Sequence, residues 1–236
     1  MKTKKVDMGR HTLKGNPPIE VVLRRSVRAK RLSLRVSRLD GRVTLTLPRF
    51  APEREGIAFL RAKELWLRGH LEDMRPAMVA QVGQSVPVRG VAMPIVVGAG
   101  KRARIAEDCI EVTAGALAAA QTRALLRHAA RDALAQASDR YAQQLGKTYT
   151  RLSIRDTRSR WGSCSSTGAL MYSWRLIMAP PAVLDYVAAH EVAHLVEMNH
   201  QPAFWSVVAK LCPDYAQHRQ WLRDEGDKLH RIVFED

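Results

Sequence analysis

Hydrophobic and polar positions alternate with a period of two over residues 31–36. Leu32, Leu34 and Val36 point one way and Arg31, Ser33 and Arg35 the other. Val43, Leu45 and Leu47 resume the period after Asp40-Gly41, a hairpin turn signal, and Pro48 closes the second strand. Ahead of this hairpin, residues 1–17 are polar and basic and end in Gly15, Asn16, Pro17 and Pro18, which reads as a loose tail. From 52 to 74 the period becomes helical, with Ile57, Leu60, Leu65 and Leu67 among charged positions. Short Val-rich runs between Gly83, Gly90, Gly98 and Gly100 predict several short strands over 81–113. Residues 116–145 are rich in Ala and Arg without Gly or Pro and predict a long helix, with Gly146 at its C-terminal cap. Strands return over 152–177, turning near Thr167-Gly168. A helix over 180–198 opens on Pro180-Pro181, where a missing N–H costs nothing. Pro202 opens another helix and Asp214 is placed to cap a last one.

Composition narrows the class. The chain has 236 residues, 46% hydrophobic and 26% charged, as in an ordinary globular protein. No apolar run approaches the roughly 18 residues of a membrane span, and nothing resembles a secretory leader. Three widely spaced cysteines, Cys109, Cys164 and Cys212, form no disulfide framework and no CxxC metal site, so a reducing cytoplasm is the simplest setting. The net charge is +15, and residues 1–49 hold fourteen Lys/Arg against three Asp/Glu. Such a basic region suits a nucleotide, nucleic acid or acidic peptide, although a solvated strand surface plus a flexible tail explains it more simply, because charge alone is a weak functional signal.

The chemistry concentrates at His190-Glu191-Val192-Ala193-His194. On a helix, positions four apart share a face, so two imidazoles converge on one metal ion while the adjacent carboxylate reaches a metal-activated water. This expectation makes His190 and His194 ligands of Zn²⁺ and Glu191 the general base. The third ligand is a contest between His200 and Glu197. On a continued helix His200 would sit about 240° around from His194, facing away. Asn199, which tolerates a left-handed cap, and Pro202, which blocks simple continuation, predict a break that returns His200 to the metal. Glu197 shares the face of both histidines but lies roughly 10 Å along the axis from His190. His11, His70, His128, His218 and His230 read as surface or packing residues.

Several stretches resemble the YgjP-like metallopeptidase family, bacterial relatives of SprT-type zincins. They are Ser159–Ser165, Trp174-Arg175-Leu176, Ala179-Pro180-Pro181, the HExxH segment, Asn199-His200, Phe204-Trp205, Cys212–Tyr215, His218-Arg219 and Trp221-Leu222. The opening strands around Arg28–Val36 are similar as well. One departure is Ser173, where the family more often has Asn. The resemblance implies metal ligation by His190, His194 and His200, with Glu191 as base. It implies an α+β fold in which a basic, β-rich N-terminal part packs on a zincin-like core. The expected division is a flexible tail 1–17, a β-rich region 18–114 and a catalytic region 115–236. It also places Trp161, Gly162 and Ser163 near the site, on a strand able to pair with an extended peptide. Arg175 is either a clamp for a substrate carboxylate or phosphate, or a structural partner of Asp185 or Glu197. Cys164 reads as a small buried residue. Three functions compete: a zinc metallopeptidase acting on a peptide or protein, a metal-dependent nucleotide phosphohydrolase, and a DNA-associated SprT-like protease. No Walker-type loop or acidic magnesium cluster supports the second.

Overall fold

Backbone amides at the start of the chain find partners in a sheet. The computed structural model describes residues 5–37, 41–72, 78–114 and 117–234, and the chain divides into two compact units, 1–76 and 77–236. In the first unit β1 (Lys5–Leu13) pairs antiparallel with β2 (Ile19–Ser26), from Lys5 opposite Ser26 to Leu13 opposite Ile19. The expected loose tail over 1–17 is therefore a strand over 5–13. Its charge hides the pattern, but β2 would otherwise leave backbone groups without partners. β3 (Ser33–Val36) runs antiparallel to β4 (Val43–Pro48), as the alternation predicts. Asp40 of the expected turn lies outside the described residues. The sheet order is β1-β2-β4-β3.

The helical stretch after β4 is two helices, α1 (Glu53–Ala62) and α2 (Glu64–Glu72), joined at Lys63. Leu60 and Leu67 are fully buried with Val43, Leu45 and Leu47, whereas Leu65 is 88% exposed. Leu65 thus leaves the predicted apolar face: Leu60 and Leu67, seven apart, define the buried stripe, and Leu65 falls about 200° from Leu67.

The second unit begins at β5 (Met78–Val79). β6 (Ser85–Val88), β7 (Val91–Val97), β8 (Arg104–Ile105) and β9 (Ile110–Val112) form a sheet of order β6-β7-β9-β8. Val86, Ile95 and Ile110 from these strands share one core with the residues of the helices that follow. The boundary expected at 114/115 is accordingly displaced to 76/77, because strands 78–112 bury their apolar face in the C-terminal core. α3 (Ala118–Gln144) runs through that core on Leu126, Ala130, Leu134 and Tyr141. Gly146 follows in the left-handed region, φ 61°, and the Lys147 N–H returns to the Ala142 carbonyl at 2.9 Å, closing the helix as predicted.

β10 (Arg151–Arg155), β11 (Gly162–Cys164) and β12 (Ala169–Ser173) form a sheet of order β10-β12-β11, so β11 is an edge strand. Trp174–Met178, expected as strand, is a buried 3₁₀ turn. α4 (Pro181–Ala193) is covered by α3, and an ion pair from Arg140 to Asp185 (2.6 Å) joins the two. α5 (Pro202–Leu211), α6 (Tyr215–Asp224), α7 (Gly226–His230) and β13 (Ile232–Val233) complete the unit. Asp214 stands at the α6 cap position without a side-chain cap bond. β13 pairs with β5, so the end of the chain returns to the start of the unit. Among the described residues no helix is long and apolar enough to cross a membrane.

Candidate metal centre

α4 is apolar over Val183, Leu184, Val187, Ala188 and Val192, which sink it into the core and present His190 and Glu191 from a rigid support. It ends at Ala193, with His194 as its C-cap, earlier than the expected 198. One more turn follows, with the Glu197 N–H bonded to the Ala193 carbonyl at 3.0 Å, before the chain departs. Two local bonds shape the departure. The His194 Nδ1–H donates to the Glu197 carbonyl at 2.9 Å. The Gln201 N–H donates to the Asn199 Oδ1 at 3.1 Å. Asn199 is not in the left-handed region, where among the described residues Arg89 is the non-glycine residue found. Its contribution is therefore a side-chain turn bond rather than the expected left-handed cap.

The break returns His200. Ligand atoms of His190, His194 and His200 lie within 4.8 Å of one another, and His190 Nε2 and His200 Nε2 are 3.1 Å apart. Two nitrogens about 2.0–2.1 Å from one tetrahedral ion stand roughly 3.3 Å apart, so the spacing suits a shared cation. The His190 Nδ1 is buried with no partner, which leaves the ring no other polar group than its neighbour's nitrogen. The His194 bond to the Glu197 carbonyl occupies Nδ1 and leaves the Nε2 lone pair for a metal. Burial, then the neighbouring His194, His200 and Arg219, push His190 down to about 3, and burial also lowers His194. Both rings are thus neutral donors, the form a metal requires. Glu197 contributes its backbone carbonyl rather than its carboxylate. Phe204 of α5, fully buried, touches all three rings at centroid distances of 4.9, 4.4 and 4.7 Å and fixes their mutual tilt.

Glu191 is 6% exposed and lies against β11. A Cβ on Gly162 would stand 2.6 Å from both its Cγ and Oε1, so only glycine admits this approach. Desolvation raises the carboxyl to about 8, opposed by the Arg160 charge and a hydrogen bond from the Cys164 backbone. The remaining sequence candidates separate. Ser163 lies on β11 beside Gly162. Trp161 stacks on His230 (4.8 Å) and against Gly226, a packing position one residue ahead of the strand. Arg175 is buried and pairs with Asp156 (2.8 Å), and also donates to the Leu229 and Ile232 carbonyls at 2.7 and 2.9 Å. It engages neither Asp185 nor Glu197, and its donors are committed to Asp156 and to the C-terminal segment, which removes it as a substrate clamp. Cys164 is half-buried, its Sγ–H donates to the Ser165 carbonyl at 3.4 Å, and burial raises its thiol. Phe204 and Gly162 act through packing, which no spacing rule in the sequence singles out.

The family model for the YgjP-like metallopeptidase domain matches residues 30–225. The chain belongs to that family. No curated protein matches it. Among solved structures it is similar to the crystal structure of the metallopeptidase zymogen of Pyrococcus abyssi abylysin, at 18% identity over 39% of this chain and 95% of that one. The TM-score of 0.36 is too low for the likeness to bear on the fold. Membership of a metallopeptidase family identifies the histidine cluster as the place to look for a divalent metal in this YgjP-like chain.

Proposed function

We propose that this YgjP-like protein is a zinc-dependent peptidase, with His190, His194 and His200 as ligands and Glu191 as general base. The observation that carries the reading is the convergence of three imidazoles, with ligand atoms within 4.8 Å, next to a buried carboxylate. A divalent cation held there supplies Lewis acidity for a water nucleophile and for the scissile carbonyl. Zinc is favoured by three imidazole donors.

The chain's own residues perform the rest. Glu191 takes the proton of the attacking water and delivers it to the leaving amine; its burial helps it hold the proton between the two steps. Gly162 lets the carboxylate lie on β11, and the Cys164 hydrogen bond orients it. The Glu197 carbonyl holds His194 in one tautomer. β11 also suits an extended substrate. The Ser173 N–H to the Trp161 carbonyl (2.8 Å) and the Ser165 N–H to the Ala169 carbonyl (3.0 Å) set the phase of its pairing with β12. The backbone groups of Gly162 and Cys164 therefore turn away from β12; the Cys164 N–H meets Glu191, and the Gly162 N–H and carbonyl face the edge where a peptide adds as a further strand.

The test is Glu191→Gln in the full chain. Metal content should be unchanged and hydrolysis of a peptide library lost; retained turnover refutes the base assignment. Cleavage of a parallel panel of nucleoside triphosphates, with every peptide left intact, would replace this reading by the phosphohydrolase alternative.

A further inference from the structure

β10 forms the edge of its sheet opposite to β11. The bonds of β12 decide which β10 groups are left over. The Ser173 N–H reaches the Trp161 carbonyl and the Ser165 N–H the Ala169 carbonyl, so β12 turns Ala169, Met171 and Ser173 to β11. Leu170 and Tyr172 therefore turn to β10, where Leu152 and Ile154 stand opposite them. In a parallel ladder a residue bonds to the neighbours of its opposite number, here Arg151, Ser153 and Arg155. The N–H and carbonyl groups of Leu152 and Ile154 are thus left at the open edge, a template for one more strand.

A groove of about 530 Å³ follows that edge, between Arg127, His128 and Arg131 of α3 and Leu152, Ser153 and Ile154 of β10. Leu152 and Ile154 pack on the core and give the groove an apolar side. No carboxylate lines it; between Ala118 and Ser138 the single acidic residue is Asp132, outside the lining. Arg127 and Arg131 are exposed and, among the described residues, have no carboxylate partner. Strand-pairing groups, an apolar side and unpaired guanidiniums therefore meet in one groove. An extended polypeptide uses all three. A phosphodiester backbone has no N–H to give to the Leu152 and Ile154 carbonyls, and the lining holds no aromatic ring on which a base could stack.

We infer that this groove docks an acidic extended segment of another protein, which adds to β10 as a further strand and sets its Asp or Glu side chains on Arg127 and Arg131. The spacing suits it. The two arginines, four residues apart on a helix, are separated by about 6 Å along its axis, and side chains i and i+2 on one face of a strand by about 6.8 Å. Arginine takes a carboxylate in two parallel bonds. The site lies at the edge away from β11, so it serves docking and not the chemistry, and it does not depend on the peptidase reading.

The experiment is fluorescence anisotropy on the full chain carrying Glu191→Gln, with a labelled peptide of alternating Glu and Thr, its Gln-for-Glu copy, a copy N-methylated throughout, and a duplex oligonucleotide. The Glu peptide should bind roughly tenfold or more tightly than the Gln copy at low salt, and the ratio should shrink as ionic strength rises. The N-methylated copy should not bind. Arg127→Glu combined with Arg131→Glu, both at exposed positions, should remove the preference for Glu. Hydrogen exchange on the bound protein should slow at the Leu152 and Ile154 amides. Equal binding of the Glu and Gln peptides, undiminished binding of the N-methylated copy, or unchanged exchange at Leu152 and Ile154 overturns the inference. Binding of the oligonucleotide alone, lost in the double variant, overturns it in favour of a nucleic-acid site.

Discussion

Gly162 shows how a single missing atom shapes the site. With 2.6 Å between an added Cβ and the Glu191 carboxylate, Gly162→Ala must push the carboxylate off β11. A displacement near 1 Å at a reacting group costs on the order of 10²-fold in rate. Kinetics with metal analysis should therefore show kcat/KM falling by about that factor while metal content is kept; an unchanged rate would contradict the placement of Glu191. His230 gives a second residue-scale prediction. Burial lowers its imidazole to about 4, against an ordinary value of about 6.5. Between these values the unfolded chain binds a proton that the native protein resists, so stability falls as pH drops from about 6.5 towards 4 and is undiminished above that window. His230→Gln should flatten this slope relative to the parent, as read by urea denaturation of both metal-free proteins across pH 4–8.

At the scale of elements, the C-terminal segment is held by one side chain. Arg175 leaves the 3₁₀ turn, grips Asp156 after β10, and donates to carbonyls at the end of α7 and in β13. Its guanidinium also lies over Trp174 and Phe234 at 4.8 and 5.7 Å. Three elements thus meet on one cation, and the stack of Trp161 on His230 rests on the same segment. Arg175→Met keeps much of the volume but leaves two carbonyls unpaired, at about 1–3 kcal/mol each. Chemical denaturation should show a loss of about 2–5 kcal/mol, most of it from these bonds rather than from the partly exposed Asp156. A loss under about 0.5 kcal/mol would deny Arg175 this role.

For the whole molecule, the two units have separate cores, one built on Val21, Leu45, Leu60 and Leu67 and the other on Leu134, Tyr172, Trp174 and Phe204. Unfolding of such a chain is not two-state. Calorimetry should give a total enthalpy above the van't Hoff value, or two resolved transitions. The basic charge is concentrated in residues 1–49, so added salt should raise one transition more than the other by screening repulsion. A single salt-insensitive transition with matching enthalpies would mean that the units unfold as one body.

The sequence by itself determined the elements whose signals are local. The β3–β4 alternation, the Gly- and Pro-free run of α3 with Gly146 behind it, and the helical pairing of His190 with His194 all depend on neighbours within a few residues. It also required a break ahead of His200, because a helix has a fixed angle per residue. Tertiary structure decided what depends on distant partners. β1 exists because β2 needs a ladder, strands 78–112 belong to the C-terminal core because their apolar faces find α3 and the 3₁₀ turn there, and Arg175 is structural because Asp156 and the chain end reach it. The physical reason is one of range: backbone hydrogen bonding and helical geometry act between sequence neighbours, whereas burial, charge pairing and the contact of Gly162 with Glu191 arise only when separate segments are brought together.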